Sequence, residues 1–226
     1  MEMRNLIPWR IRNRYAQWLE RSVRPSQPRL YKFLKYGRTN LNTPDYWDEV
    51  WKNDTINREY TELFRLVLAR IPNGASVLDV GCGIGNLSRL LRDERSADVT
   101  ALDFSAWACE QLSNQGFKTV VATLPRIPVP DRQFDVAVST EVLEHLDAPE
   151  KTLAEMARVV KPGGLVLCSV PDDSLHPSDE LEHQQIFTKD ILGKILAGIS
   201  PDFEIASGQL VDGSSHGFLF AVLRVR

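Results

Sequence analysis

A glycine-rich turn that starts at Gly81 constrains this chain more than any other feature of its sequence. Glycine stands at every second position, Gly81, Gly83 and Gly85, directly after a run at residues 77–80 that is apolar except for Asp79. Glycine is required where a backbone turns tightly, adopts positive φ or admits a ligand close to the chain. A helical pattern begins near Asn86. The segment therefore predicts a strand that passes through a ligand-binding turn into a helix.

Short β-branched runs alternate with helical stretches from residue 76 onward. The runs occupy residues 76–80, 99–102, 119–121, 134–139 and 165–170. This alternation is typical of an α/β fold, in which a mostly parallel sheet has helices on both faces. A helical pattern at residues 56–71 precedes the sheet. Two extended runs, at residues 203–210 and 218–225, predict an antiparallel hairpin at the end of the sequence.

The third glycine and two acidic residues indicate which ligand the turn takes. A dinucleotide fingerprint has its third glycine at the position of Asn86, whereas here it is Gly85. Asp79 precedes the turn, where a carboxylate repels pyrophosphate and can reach a cationic amine through water. Asp103 ends the second predicted strand and can accept hydrogen bonds from both ribose hydroxyls. The alternative role for this carboxylate is a helix N-cap. Phe104 then offers an apolar surface for an adenine ring.

Four motifs in this order resemble those of class I S-adenosylmethionine-dependent methyltransferases, nearest to the ubiquinone-pathway O-methyltransferase-like group. They are residues 77–85, 102–103, 134–138 and 160–164. The resemblance implies a three-layer sandwich with a seven-stranded, mostly parallel sheet, an antiparallel last strand and an N-terminal helical lid. It also implies that S-adenosylmethionine lies across the ends of the first two strands, with the loop glycines at its methionine part and Asp103 at its ribose.

Recognition of adenine departs from the family pattern. Many relatives have an acidic residue after the third strand, where this chain has Thr123. A hydroxyl can still accept a hydrogen bond, and the backbone N–H of Leu124 can serve the ring. Ser139 opens the stretch that borders methionine and substrate in the family, so it is predicted as a further cofactor contact.

The chemistry is predicted to involve an ExxEH motif after the fourth strand. Methyl transfer needs alignment of the acceptor and, for some acceptors, removal of a proton. Glu141 and His145 would converge if the segment were helical, and His145 is predicted as the general base, which favours an oxygen acceptor. The ubiquinone-pathway and small-RNA ribose methyltransferases are similar here and hold a divalent cation. Glu141, Glu144 and His145 are therefore metal candidates, with His183 as a further ligand. A metal is not favoured, and a structural role of the motif is the remaining alternative.

Residues ahead of the sheet are predicted to close the site. Tyr46 and Trp51 are expected to line the acceptor pocket, with a simple hydrophobic contact under the first core helix as the alternative. Arg58 or Arg65 is expected to meet the methionine carboxylate, with a surface ion pair as the alternative. Two further histidines, His176 and His216, are expected to be solvated.

The start of the sequence is strongly basic. Residues 1–40 contain ten Lys and Arg and two Glu, which gives this region a net charge of +8. Since the whole chain has a net charge of −3, residues 41–226 have a net charge of −11. Residues 7–23 predict a basic amphipathic helix that packs on the domain or lies on a membrane surface. The sequence accordingly divides into this basic region (1–28), a lid with the first core helix (29–70) and a methyltransferase core (71–226).

Composition narrows the setting and the function. No apolar run reaches the length of a membrane span, and three cysteines without a CxxC pair favour a reducing, cytoplasmic location, with peripheral membrane contact if the basic helix binds lipid. The predicted function is methyl transfer from S-adenosylmethionine to an oxygen or nitrogen of a small-molecule acceptor. The alternatives are a membrane-associated O-methyltransferase of a quinone- or lipid-like acceptor and a non-catalytic cofactor-binding module. Nucleic acid is disfavoured as a partner because the body of the chain is acidic.

Overall fold

The computed structural model describes residues 18, 41–53, 60–174, 182–209 and 217–226. The helices that lie wholly within these ranges are α1 (Pro44–Lys52), α2 (Thr61–Leu68), α3 (Asn86–Arg95), α4 (Ala106–Ser113), α5 (Pro149–Val159) and α6 (Lys189–Ala197). The strands are β1 (Ser76–Val80), β2 (Asp98–Asp103), β3 (Lys118–Val121), β4 (Phe134–Thr140), β5 (Val160–Pro171), β6 (Phe203–Gln209) and β7 (Gly217–Arg224). A short 3₁₀ turn at Leu143–His145 follows β4.

These strands form one seven-stranded sheet in the order β3-β2-β1-β4-β5-β7-β6. β1 pairs in parallel with β2 and with β4. The pairs β2–β3 and β4–β5 are also parallel. β7 runs antiparallel to both β5 and β6. The predicted mostly parallel sheet with an antiparallel last strand is therefore confirmed. The strand order changes direction at β1, and such a switch point opens a crevice at the carboxyl ends of the strands.

Two apolar cores, one on each face of the sheet, make the fold a three-layer sandwich. Neighbouring residues of one strand, such as Val77 and Leu78, belong to opposite cores because side chains alternate along a strand. One core joins the sheet to α2 and α3, and the other joins it to α5 and α6. The helix residues buried in these cores include Leu63, Val67, Leu87 and Leu91 on one face and Leu153, Met156, Leu192 and Leu196 on the other.

Asp135 fastens the amino-terminal ends of three strands, at the edge of the sheet opposite the crevice. Its Oδ2 accepts hydrogen bonds from the Ser76 backbone N–H (2.8 Å) and hydroxyl (2.7 Å), and its Oδ1 accepts one from Lys161 Nζ (2.8 Å). These contacts lower the pKa of Asp135 to about 2, the Lys161 bond first. Asp135 and Lys161 belong to the motifs at residues 134–138 and 160–164. The similarity of these two motifs to the family therefore indicates a shared fold rather than a shared catalytic chemistry.

The element boundaries refine the predictions. The helical pattern at residues 56–71 corresponds to α2, which is shorter because it ends ahead of the turn that leads into β1; residues 54–59 lie outside the described ranges. The two strands of the C-terminal hairpin are confirmed, while their connection at residues 210–216 lies outside the described residues.

The predicted basic helix at residues 7–23 also lies outside the described residues, apart from Trp18, which is helical and 51% exposed. The division at residues 28 and 70 therefore stays a prediction. None of the helices within the described ranges combines the length and the apolar character needed to cross a membrane.

Candidate active site

A cavity of about 780 Å³ opens at the carboxyl ends of β1, β2 and β4. Its volume falls in the range of roughly 300–1,000 Å³ typical of small-molecule sites. The glycine turn forms its floor, β2 and β3 end at one side, and the segment after β4 forms the other. Helix α1 covers it, since its residues Tyr46, Trp47, Val50 and Trp51 all line the cavity. The predicted N-terminal helical lid is thus present as α1.

The glycine turn is shaped by close neighbours on both sides. Gly81 has φ +74°, and a Cβ there would lie 2.4 Å from Val142 Cγ2. Gly83 has φ +50°, and its Cβ would lie 2.8 Å from the indole of Trp51. Any side chain would therefore meet both an unfavourable backbone conformation and an occupied space. Gly81 and Gly83 both line the cavity, and Trp51 packs over Gly83.

Asp103 holds the turn from the end of β2. Its Oδ2 accepts a hydrogen bond from the Gly83 backbone N–H (2.9 Å) and its Oδ1 one from the Ser105 backbone N–H (2.9 Å). Each carboxylate oxygen keeps a second lone pair for a ribose hydroxyl. Burial raises the pKa of Asp103, against the lowering effect of these N–H donors. The helix cap of α4 is supplied by Ser105 itself, whose Oγ accepts from the Ala108 N–H, so capping does not account for Asp103.

Asp79 is the second carboxylate at the turn. It is buried at the end of β1 and accepts a hydrogen bond from Ser88 Oγ (2.6 Å). Burial raises the pKa of Asp79 to about 6, the Ser88 bond lowers it, and the negative charge of Asp103 raises it further. A cationic amino group placed beside Asp79 would return its pKa toward the ordinary value.

This shift predicts a pH dependence of cofactor binding. The ionised carboxylate attracts an ammonium group, and Asp79 in the unliganded protein takes up a proton as the pH falls through about 6. We therefore expect the dissociation constant of S-adenosylmethionine to rise by about tenfold per pH unit below pH 6, the slope for one coupled proton. Isothermal titration calorimetry between pH 5 and 8 measures it. Asp79→Asn should bind more weakly and show a flatter profile; an unchanged slope in this variant would assign the proton to another group.

The adenine end lies beyond Asp103. Phe104, Thr123 and Leu124 all line the cavity there, as the sequence predicts. Gly85 and Ser139 do not line it. Gly85 instead starts α3 with φ +82°, against Leu112. Ser139 is fully buried in β4, and its neighbour Thr140 lines the cavity in its place, because successive side chains of a strand point to opposite faces. The cavity lining does not support a direct cofactor contact through the Ser139 side chain, which stays a prediction.

The segment after β4 does not form the helix that would bring Glu141 beside His145. Glu141 adopts φ +54°, its backbone N–H donates to Ser169 O (3.2 Å), and Ser169 Oγ donates to its Oε1 (2.7 Å). Only Leu143–His145 form a helical turn. Both Glu141 and His145 line the cavity, but Glu141 is anchored to β5 rather than paired with the imidazole. The predicted convergence through helical spacing is therefore corrected.

His183 lies where Glu141 was expected. The rings of His145 and His183 are 4.9 Å apart, and His145 Nε2 lies 3.8 Å from Glu144 Oε1. One potential ligand atom from each of Glu144, His145 and His183 lies within 4.8 Å of the others. Carboxylate and imidazole suit a divalent transition metal. These three residues would hold the cation, and Glu141 of the predicted set would not.

The expected partner of the methionine carboxylate is not Arg65. This side chain is 66% exposed and forms a bidentate pair with Glu62 on the surface of α2 (2.8 and 3.0 Å), so the alternative of a surface ion pair describes it. Arg58 lies outside the described residues, as do His176 and His216. Trp51 offers another donor, because its Nε1 is buried beside the turn without a hydrogen-bond partner among the described residues.

Hydrogen bonds from Asn42 and Tyr46 join the lid to the opposite wall of the cavity, at His145 and Glu182. We call this group of contacts the latch, and the sequence did not reveal it. Asn42 Nδ2 donates to the backbone oxygens of His145 (3.1 Å) and Glu182 (2.7 Å), and Trp47 Nε1 donates to Asn42 Oδ1 (3.1 Å). The hydroxyl of Tyr46 donates to Glu182 Oε1. Burial, then this bond and the charge of Glu182, raise the pKa of Tyr46. Neither Asn42 nor Glu182 belongs to a motif, so no signal in a single sequence marks them.

This architecture defines a class I, Rossmann-like methyltransferase fold, with a glycine turn and carboxylates at the ends of two neighbouring strands. The family model described as a methyltransferase domain matches residues 52–197, and the chain belongs to this family. The predicted S-adenosylmethionine-dependent class is confirmed, while the ubiquinone-pathway group stays a prediction.

Individual relatives agree with this assignment. The chain is 30% identical over 178 residues to a fatty-acid O-methyltransferase of Mycolicibacterium smegmatis, covering 74% of this chain and 64% of the relative. It is 32% identical over 152 residues to a malonyl-[acyl-carrier protein] O-methyltransferase of Enterobacter lignolyticus, covering 62% of this chain and 60% of the relative. The chain thus spans about three fifths of the length of these relatives.

Among solved structures, the fold is similar to the 1,6-didemethyltoxoflavin-N1-methyltransferase of Burkholderia thailandensis, crystallised with its acceptor and S-adenosylhomocysteine. The TM-score is 0.65 at 18% identity, covering 81% of this chain and 87% of that one. At this identity the likeness concerns the fold alone.

Proposed function

We propose that this protein transfers the methyl group of S-adenosylmethionine to an oxygen or nitrogen of a small molecule. The observation that carries the proposal is the continuity of the cavity. Asp79, the glycine turn and Asp103 line its cofactor end, and Glu141 and His145 line the same cavity after β4. A methyl group bound at the turn would therefore face side chains that can receive a proton.

The cofactor end of the cavity is proposed to bind S-adenosylmethionine through opposite charge and through hydrogen bonds that its carboxylates accept. Asp103 accepts from the ribose hydroxyls, Asp79 attracts the methionine amino group, and Phe104 packs against adenine next to Thr123 and Leu124. At the acceptor end, His145 takes the proton that the nucleophile loses. The protein mainly aligns the nucleophile with the methyl carbon and keeps water out under α1.

Trp51 is proposed to donate its Nε1–H to the methionine carboxylate. A buried donor without a protein partner is costly unless a ligand satisfies it. Trp51→Phe keeps the ring over Gly83 and removes the donor, and we expect the dissociation constant of S-adenosylmethionine to rise about fivefold, measured by calorimetry. Trp107→Phe is the control, since this residue of α4 does not line the cavity. Equal effects of the two substitutions would contradict the assignment.

Turnover tests the function itself. Purified protein incubated with labelled S-adenosylmethionine and fractionated metabolite extracts should label at least one small molecule. Tight binding of cofactor without labelling in any extract would instead support the non-catalytic module. A parallel incubation with EDTA tests the metal: if Glu144, His145 and His183 hold a divalent cation, it would polarise the nucleophile, and chelation would abolish labelling.

A membrane-associated version of this function is the second candidate. Its support is the +8 charge of residues 1–40 together with the half-exposed Trp18, a combination that favours anionic lipid surfaces. The acceptor would then be quinone- or lipid-like, as in the ubiquinone-pathway group. Flotation with vesicles of anionic phospholipid, comparing the full chain with a chain that starts at residue 29, tests it. Equal partitioning of the two forms would argue against it.

A further inference from the structure

The acceptor end of the cavity is rich in negative charge. Four carboxylates line it after β4 and at the far wall, those of Glu141, Glu144, Asp147 and Glu182. Within residues 41–53, 60–174, 182–209 and 217–226, neither lysine nor arginine lines the cavity. Like charges repel and opposite charges attract across such a partly buried site. The lining favours an acceptor with positive charge over one with a carboxylate or phosphate.

The direction of the hydrogen bonds points the same way. Apart from Trp51 Nε1, which is assigned to the cofactor, the donors of the lid are used within the protein: Tyr46 donates to Glu182, Trp47 donates to Asn42, and Asn42 donates to two backbone oxygens. The carboxylates can only accept when ionised. Thr152 lines the same region and is fully buried, and its hydroxyl, which has no hydrogen-bond partner in the described part of the chain, can either accept from a ligand or donate to it. The carboxylates of the wall therefore present acceptors to a ligand that brings its own N–H donors.

Aromatic rings complete the wall. The rings of Tyr46 and Trp47 are 5.7 Å apart and perpendicular, and Trp47 lies 5.3 Å from Trp51 at 35°. Ring faces of tryptophan and tyrosine attract cations. Trp51 lies over the glycine turn, where the sulfonium of the cofactor is expected, which leaves Tyr46 and Trp47 for the acceptor beside Glu182.

We propose that the acceptor is a small amine that enters as an ammonium ion and binds beside Glu182, against the aromatic wall of Tyr46 and Trp47. This proposal rests on the proposed function and narrows its acceptor from oxygen or nitrogen to nitrogen. It differs from the acceptor named for the fatty-acid O-methyltransferase described above, since fatty acids are anionic at neutral pH.

The transfer balances without a further reactant. The ammonium passes one proton to His145 and becomes a neutral amine. The nitrogen lone pair then attacks the methyl carbon, a C–N bond forms, and the electrons of the breaking C–S bond move to sulfur. The positive charge leaves the sulfonium and appears on the methylated nitrogen, which stays beside the same carboxylates. The acidic wall thus stabilises the charge at its destination.

Matched ligands test the proposal. Ammonium, hydroxyl and carboxylate versions of three skeletons (phenylethyl, indolylethyl and hexyl) are titrated by calorimetry into protein saturated with S-adenosylhomocysteine. We expect the amine to bind at least about tenfold more tightly than the carboxylate on at least one skeleton. A carboxylate that binds as tightly as its amine, or no amine binding on any skeleton, would overturn the proposal. Failure of S-adenosylhomocysteine itself to bind would instead refute the proposed function.

Glu182→Gln localises the charge. The amide oxygen can still accept the Tyr46 hydroxyl, so the latch is retained while the charge is lost. We expect the preference for amine over carboxylate to fall about tenfold, with unchanged binding of S-adenosylhomocysteine. Glu110→Gln, an exposed residue of α4 away from the cavity, is the control and should change neither. An undiminished preference in Glu182→Gln would place the ammonium elsewhere and overturn the proposed binding position.

Discussion

Asp103→Asn is expected to weaken the binding of S-adenosylmethionine about 100-fold. The substitution removes the charge that accepts the ribose hydroxyls, and charge-assisted hydrogen bonds contribute roughly 1.5–3 kcal/mol each. It also places an amide NH₂ where one of two backbone donors, Gly83 N–H or Ser105 N–H, now finds an oxygen. The glycine turn would lose a contact that fixes its position. Calorimetry with S-adenosylmethionine and S-adenosylhomocysteine measures the effect on both ligands.

Asp98→Asn is a matched control for this experiment. Asp98 begins the same strand that Asp103 ends, is exposed, and pairs with Lys118 (2.6 Å) on the surface. Exposed pairs of this kind contribute about 0–1 kcal/mol to stability. We expect its cofactor affinity to match that of the parent chain. If Asp103→Asn bound the cofactor equally well, the ribose assignment would be wrong.

His145→Ala is expected to lower kcat about 100-fold with little change in KM. General acid–base groups typically contribute 10²–10⁴-fold, and the affinity for the acceptor is assigned to Glu182 and the aromatic wall rather than to this imidazole. The measurement is steady-state kinetics with the best acceptor found in the labelling screen, following S-adenosylhomocysteine formation.

The His183→Ala variant and treatment with EDTA distinguish two possible roles of His145: a metal-free general base or a ligand of a catalytic cation. If His145 is a metal-free base, His183→Ala retains most of the activity and EDTA has no effect. If Glu144, His145 and His183 bind a catalytic cation, both histidine variants and EDTA lower kcat together. Full activity of His145→Ala would falsify both roles and leave alignment as the main contribution of the protein.

The cofactor half of the site follows well from the sequence because it is built from local patterns. Asp79, the glycine turn, Asp103 and Phe104 each stand at a strand end, and parallel strands bring their carboxyl ends to one edge. The fold follows for the same reason, since strand lengths and apolar runs set the layers. Even there, the cavity is lined by Thr140 and not by the predicted Ser139, because a one-residue step along a strand reverses the direction of a side chain.

The acceptor half depends on contacts that no local pattern encodes. The ExxEH spacing predicts a pairing only if the chain is helical, and the positive φ of Glu141 breaks that condition. Its place beside His145 is taken by His183 from a distant segment. Asn42 and Glu182 meet only through the tertiary fold. Long-range contacts of this kind are the part of a site that periodicity and spacing cannot supply.

The latch of Asn42 has a consequence for how the protein matures. Its two hydrogen bonds span 103 and 140 positions in the sequence, whereas the cofactor-end residues lie between positions 79 and 123. Contacts between distant positions close late, both during synthesis and during refolding. Synthesis therefore produces the residues proposed to bind the nucleoside before it produces Glu182. The acceptor site proposed beside Glu182 can accordingly be completed only after the proposed cofactor end has been synthesised.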